Sequence, residues 1–155
     1  MADREAGMSV IVKVVTRWIF ALTLIFGLGV AFFGHLTPGG GFAGGVIIAC
    51  GFVLATLAFG AKAGPVAWMK RAASSLDATG ALLFLGVAVL GYLAGHFVQR
   101  WIGLGELHTL CSTWSIVLMN LAILLKVGAG LFAGFMAIAM FGAVGEAAEE
   151  KGDEA

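Results

Sequence analysis

Charged residues, prolines and cysteines are all scarce in this 155-residue sequence. Aspartate, glutamate, lysine and arginine make up 12% of it, against 61% hydrophobic residues, whereas an average soluble domain carries roughly 25% charged residues. Two cysteines do not provide a disulfide framework. A formal net charge of zero leaves no general basic field for nucleic acid. These shortages exclude an ordinary soluble domain and indicate an integral membrane protein.

Long apolar runs and 24 glycines fill the space that charge leaves. Runs of about 20 apolar residues can cross a bilayer as helices. The sequence therefore predicts an all-α membrane protein, organised as one transmembrane domain over residues 1–155. The expected helices cover about residues 10–35, 42–61, 76–98 and 114–144, and the acidic tail 146–155 is expected to be solvated.

The distribution of lysine and arginine predicts an orientation. Seven of these residues flank the ends that four spans would place on one side: Arg4, Lys13, Arg17, Lys62, Lys70, Arg71 and Lys151. The opposite connections hold only Arg100. Because cytoplasmic segments are enriched in lysine and arginine, we expect both termini in the cytoplasm.

A glycine-rich break separates the first two runs. The segment Gly34–Gly45 contains six glycines and Pro38, which disfavours helix in the residue before it. The glycines Gly39, Gly40 and Gly41 permit unusual dihedrals and the close approach of another surface. Phe42, a bulky side chain among them, is expected to pack into a groove of a neighbour.

His35 adjoins this break, and histidine titrates near neutral pH. It is therefore a candidate for an ion path, although a lone histidine at a membrane interface is more often simply a polar residue at the end of a helix.

Lys126 lies about 18 Å inside the fourth run at helical rise. A lysine near the bilayer centre is unfavourable and marks a functional candidate, the alternative being a structural pair with a partner subunit. Asn120, six residues earlier, falls on another face of the helix and is expected to hydrogen-bond between helices.

Asp77 has two interpretations. Beside Ser74 and Ser75, at the expected start of the third helix, it resembles a capping carboxylate, which is the favoured interpretation. As an intramembrane acid it would instead pair with Lys126 or bind a cation, and it is then an ion-path candidate.

Gly-x-x-x-Gly pairs begin at Gly41, Gly91 and Gly130, among other positions, and such pairs let helices pack closely in lipid. We expect a subunit of a larger assembly. His96, His108 and Cys111 supply three ligands at most, without paired spacing, so neither a metal site nor a cofactor is predicted.

The segment Gly-His-Leu-Thr-Pro-Gly-Gly-Gly-Phe-Ala-Gly-Gly at 34–45 resembles the signature of the B subunit (MnhB, also MrpB) of Mrp-type multisubunit Na⁺/H⁺ antiporters. Asn120, then Lys126 and Val127, then Gly130 resemble that family's fourth-helix pattern. The resemblance implies a small subunit of a large membrane complex that exchanges sodium for protons. It implies other membrane subunits, Na⁺, H⁺ and lipid as partners, a prokaryotic cell membrane as location, and no enzymatic chemistry in this chain.

Two other functions stay open from the sequence. Related subunits occur in membrane-bound hydrogenases, so the chain could serve as the ion-translocating part of a redox complex. It could also be a structural spacer that only seals contacts between subunits and lipid.

Overall fold

The computed structural model contains four α-helices among residues 8–34, 39–61, 63–93 and 114–153, the parts of the chain that the structure describes. Side-chain surroundings are described for the same ranges, except that in the last helix they cover residues 116–142. The helices are α1 Val10–Phe32, α2 Gly41–Phe59, α3 Gly64–Leu93 and α4 Trp114–Asp153. Each contains a segment long and apolar enough to cross a membrane. The prediction of an all-helical chain with four such helices is confirmed.

The four helices stand in a row rather than in a closed bundle. α2 and α4 are in the middle, α1 packs mainly on α2, and α3 packs mainly on α4. Among the described residues no Cα atom of α1 lies within 8 Å of a Cα atom of α3. The buried share of the apolar segments follows this order, at 44% in α2 and 33% in α4 but only 17% in α1 and 11% in α3. Most large apolar side chains of the outer helices therefore face outward, as expected for surfaces covered by lipid or by other proteins.

Glycines set the closest approach of α1 to α2. A Cβ atom built on Gly44 would lie 2.5 Å from the carbonyl oxygen of Gly27, and one built on Gly27 would lie 3.0 Å from the carbonyl oxygen of Gly44. A side chain at either position would force the backbones apart. The two helices are in backbone contact there, which is the packing that small residues permit in lipid.

The core lies where α3 begins and α4 passes it. Phe132 and Val66 are fully buried, and Met69 is nearly so. Phe52 meets Phe132 with ring centroids 5.8 Å apart and meets Phe20 edge-on at 5.2 Å. Side chains from all four helices thus join at this level, and aromatic pairs in such tilted arrangements add to the burial energy.

The third helix begins at Gly64 instead of Leu76, so the predicted boundary is wrong. Gly60 ends α2 with a φ of +85°, and the Ala63 N–H donates to the Gly60 carbonyl across a tight turn. Pro65 then falls in the first turn of α3, where its missing N–H leaves no bond unmade. Pro65, which lies between the expected second and third helices, is therefore part of the start of a helix.

The other helix ends differ less. α1 ends at Phe32 and α2 covers Gly41–Phe59, each within a few residues of its predicted limits. α4, by contrast, continues to Asp153, so most of the expected solvated tail is helical. Seven of the ten residues of the tail are alanine or glutamate, which are strong helix formers.

Candidate functional site: an ion pair between two apolar helices

Asp77 of α3 and Lys126 of α4 form an ion pair. The Nζ of Lys126 donates to Oδ1 of Asp77 at 3.0 Å. The two residues stand on the contacting sides of α3 and α4, 49 positions apart in the chain. The sequence alternative in which Asp77 pairs with Lys126 is therefore the one that the structure shows.

Two glycines frame the pair. A Cβ atom on Gly80, one turn after Asp77, would lie 2.7 Å from the carbonyl oxygen of Ala122 and 2.9 Å from the backbone nitrogen of Lys126. One on Gly130, a turn after Lys126, would lie 3.7 Å from Oδ1 of Asp77. The bare backbone of Gly80 lets α3 approach α4, and this approach brings the carboxylate within reach of the lysine.

The pair lies far from the ends of both helices. At helical rise Asp77 is about 20 Å from Gly64 and about 24 Å from Leu93. Lys126 is about 15 Å from Ile116 and about 24 Å from Gly142, the limits of the apolar part of α4. Because a hydrocarbon core is about 30 Å thick, both charges belong inside it if these helices cross a bilayer.

The pair is also half-exposed on the surface of the chain. The side chain of Lys126 is 53% accessible and that of Asp77 is 42% accessible. Lipid tails provide neither hydrogen bonds nor charge compensation. The exposed half of the pair therefore needs a protein group, water or an ion against it.

The interpretation of Asp77 as a helix-start carboxylate is wrong. Asp77 lies in the interior of α3, because that helix begins at Gly64. Thr79, two residues later, donates its hydroxyl to the Ser75 carbonyl at 2.7 Å, which is the bond that a threonine makes inside a helix. The serine-rich stretch that suggested a cap is thus continuous helix.

Asn120 serves a separate contact on the other side of α4. Its Oδ1 accepts the Gly41 N–H at 3.4 Å, and Gly41 is the first residue of α2. The residue before it, Gly40, has a φ of +104° and no side chain to cap the helix. A neighbouring helix therefore supplies the acceptor that an N-cap residue would normally provide. The prediction that Asn120 bonds between helices, on another face from Lys126, is confirmed.

The glycine-rich break brings its own ends together. A Cβ atom on Gly34 would overlap the backbone of Gly40, and one on Gly39 would lie 2.9 Å from Cγ1 of Val30. A Cβ atom on Gly41 would overlap the carbonyl of Asn120. Glycine is therefore required at both ends of the break. His35 and Pro38, with the residues between them, lie outside the described residues.

Phe42 points away from the rest of the chain, with 64% of its surface exposed. Among the Gly-x-x-x-Gly pairs, Gly41 and Gly45 both press against α4. A Cβ atom on Gly134 would meet nothing within 4 Å, so the pair that begins at Gly130 makes no such contact inside the chain. The partner of Gly91, like His96, His108 and Cys111, falls outside the described ranges.

Sequence reasoning missed Gly80 and Gly27. Neither glycine belongs to a Gly-x-x-x-Gly pair, which was the pattern that indicated helix contacts. The position of Gly80 three residues after the only aspartate of the third run was a usable signal.

Comparison with known proteins gives consistent matches. The model of the family described as "Domain related to MnhB subunit of Na+/H+ antiporter" matches residues 11–133. An uncharacterized protein of Methanocaldococcus jannaschii is 31% identical over 128 residues, which are 78% of this chain and 48% of that protein. A Staphylococcus aureus protein named "Putative antiporter subunit mnhB2" is 46% identical over 50 residues, 32% of this chain and 36% of that protein.

The matched region includes the glycine-rich break, Asn120, Asp77 and Lys126. The alignments cover about half of the archaeal relative and about a third of the staphylococcal one. The family match extends over most of the chain, and with four apolar helices it indicates a multi-pass membrane protein and a transporter component. The chain belongs to the MnhB family of Na⁺/H⁺ antiporter subunits.

Proposed function

We propose that this chain is a membrane subunit of an Mrp-type multisubunit Na⁺/H⁺ antiporter, where it contributes both to assembly and to the cation and proton path. Membership of the MnhB family supports this parent complex. The outer helices α1 and α3 bury only a small share of their apolar segments, which supports assembly with other subunits. The location that goes with this function is a prokaryotic cell membrane.

The observation that carries the proposal is the Asp77–Lys126 pair. A carboxylate binds cations, and the ammonium of Lys126 already donates to Oδ1 of Asp77. When a cation reaches Asp77 it competes with Lys126, which is only 3.0 Å away. Lys126 thereby sets how readily Asp77 is occupied, and its flexible stem lets it withdraw and return.

His35 completes the proposed path on the side of the glycine-rich break. A histidine exchanges protons near neutral pH, and irregular backbone at membrane depth is tolerated where it lines protein or water. The bare glycines around it would let a neighbouring helix or a hydrated path come close.

The proposed orientation has both termini in the cytoplasm. Lys13, Arg17, Lys70 and Arg71 all belong to the first half of α1 or α3, the ends that this orientation places inside. The orientation is measured by labelling single cysteines at Ser9 and Ala61 with a membrane-impermeant reagent, from outside intact cells and from the cytoplasmic face of everted vesicles. Labelling of both only from outside would reverse the orientation.

The test of function compares single and paired charge removal. Lys126→Met and Asp77→Asn are made separately and together, and the chain is expressed with its native partner subunits in a sodium-sensitive host. Antiport is measured in everted vesicles and divided by the amount of assembled complex. The double variant removes both charges and so leaves neither one unpaired, which relieves the destabilising effect of a lone ion.

If the pair belongs to the ion path, the double variant assembles but loses antiport. Arg71→Met, which removes an exposed cation of α3 outside the pair, is the matched control and keeps antiport. Full antiport per assembled double-variant complex would exclude the pair from the path. Nickel-site or iron–sulfur subunits among the co-purifying proteins would instead identify a redox complex.

A further inference from the structure

The surface around the ion pair continues along α4 as a strip of small residues. Gly130, Ala133, Gly134 and Ala137 recur at helical spacing on the side of Lys126, and all four are exposed. We call these four residues, with Asp77 and Lys126, the pair face. It extends about 16 Å along the helix from Lys126 to Ala137.

We propose that the pair face receives a transmembrane helix of another subunit, and that this helix presents an uncharged hydrogen-bonding side chain at the level of Asp77 and Lys126. The proposal rests on the proposed function for the existence of partner subunits. It goes beyond that function in stating where one of them docks and what it carries.

The requirement for a partner comes from the exposed half of the ion pair. A lysine ammonium has three N–H donors and a carboxylate has two oxygens. The described residues account for one bond, from Nζ to Oδ1. Acyl chains cannot make the remaining bonds, whereas serine, threonine, asparagine and glutamine do so between membrane helices.

The uncharged character of the partner group follows from charge balance. Asp77 and Lys126 sum to zero, so a third fixed charge would leave an uncompensated charge in the hydrocarbon. A neutral donor–acceptor group bonds to both members of the pair without that penalty.

The shape of the pair face suits a helix. Beyond the pair, a groove of about 230 Å³ runs between α3 and α4, with Lys70 and Ala73 on one wall and Phe132, Met136 and Met140 on the other. Ala133 and Ala137 line it too. Small residues at this spacing let a second helix approach closely, as they do where Gly45 meets α4 within the chain.

Gly134→Leu is the decisive variant. A side chain at Gly134 meets nothing in this chain within 4 Å, and leucine is a better helix former than glycine. Any fall in recovery of the complex therefore arises from a contact outside this chain. Gly86→Leu is the matched control, since a Cβ atom on Gly86 also meets nothing within 4 Å. Gly86 comes nine residues after Asp77 and so lies on the opposite side of α3.

Recovery of the native complex is measured by co-purification of the other subunits, alongside the membrane level of this chain. We expect Gly134→Leu to lower recovery about tenfold or more, because overpacking a formed interface has an effect of that size. Gly86→Leu is expected to stay within about twofold. Normal recovery with Gly134→Leu would overturn the proposal.

A cross-linking experiment identifies what covers the face. Ala137→Cys, in a chain whose natural cysteines are replaced by serine, is labelled in the intact complex with a maleimide benzophenone and illuminated. A product with another subunit supports the proposal, and sequencing of the attached peptide tests for a neutral polar residue near it. Lipid adducts alone overturn it. Both readouts concern assembly, so they remain informative if transport proves independent of Lys126.

Discussion

α4 packs against α2 on one side and against α3 on the other, and each contact combines close approach at a glycine with one polar interaction. Toward α2, Asn120 bonds to the backbone of Gly41 and Gly45 packs against Leu124 and Val127, so the contact is neutral and closed. Toward α3, Gly80 brings the helices equally close, but the polar element is an ion pair about half-open to the surroundings.

The difference shows which contact the chain completes by itself. A neutral side chain that meets a helix end needs nothing further, because both groups are satisfied on the spot. A half-exposed ion pair in an apolar surface is complete only when something else covers it. The α2–α4 contact is therefore complete within the chain. The α3–α4 contact holds the core of the fold as well, but its ion pair leaves a surface open for the assembly that we propose.

Gly45→Leu should have the largest effect on the chain itself. A Cβ atom there already lies 2.9 Å from Cβ of Val127 and 3.0 Å from the Leu124 carbonyl oxygen, and backbone cannot move aside. We expect a loss of about 3 kcal/mol or more in stability, seen as a lower unfolding midpoint of the purified subunit in detergent. A midpoint equal to that of Gly86→Leu would mean that α2 and α4 are not in backbone contact.

Asp77→Asn alone should come next. It leaves the Lys126 cation without its carboxylate, which we expect to lower stability by about 2 kcal/mol. Adding Lys126→Met removes the lone charge and should restore most of the loss. The same unfolding assay in lipid nanodiscs measures both. A double variant no more stable than Asp77→Asn would show that the pair contributes more than charge compensation.

Asn120→Ala should have a smaller effect, about 0.5–1 kcal/mol, since hydrogen bonds between membrane helices are modest. The local readout is hydrogen exchange in the first turn of α2, which should become faster when the acceptor for the Gly41 N–H is lost. Asn120→Leu is the control, because it keeps the volume and removes the acceptor. If Asn120→Leu retains slow exchange, packing rather than the hydrogen bond holds that helix end.

Phe42→Ala should change the isolated chain least. With 64% of its surface exposed, Phe42 contributes little to this fold, and we expect its loss to shift stability by less than about 0.5 kcal/mol. If the residue fills a groove on a neighbour, recovery of the complex falls nonetheless. Unchanged recovery, measured by the same co-purification, would remove Phe42 from the interfaces.

The sequence predicted the elements whose signal is local. Lys126 stands out because it interrupts an apolar run, and the four spans follow from hydropathy alone. Asn120 was placed on another face from Lys126 by helical spacing. Those inferences need only the period of a helix and the chemistry of lipid.

The wrong predictions concern contacts between helices and residues that are compatible with either a break or a helix. Pro65 is compatible with a break and with a first helical turn, and only the short turn closed by Gly60 decides between them. Because α3 begins at Gly64, Asp77 lies in the interior of the helix and not at its start. Which residues face each other across α3 and α4 depends on the close approach of the two helices at Gly80. The periodicity of a single helix does not reveal where another helix approaches it.

The arrangement of the helices in a row has a consequence for the life of the protein before it finds its complex. With α1 and α3 apart, a newly made copy shows its charged doublet to acyl chains until a companion arrives. We expect surplus copies to be removed quickly by membrane proteases and to accumulate only when the companions are made alongside. The same doublet that would serve transport would then also keep the subunits in fixed proportion.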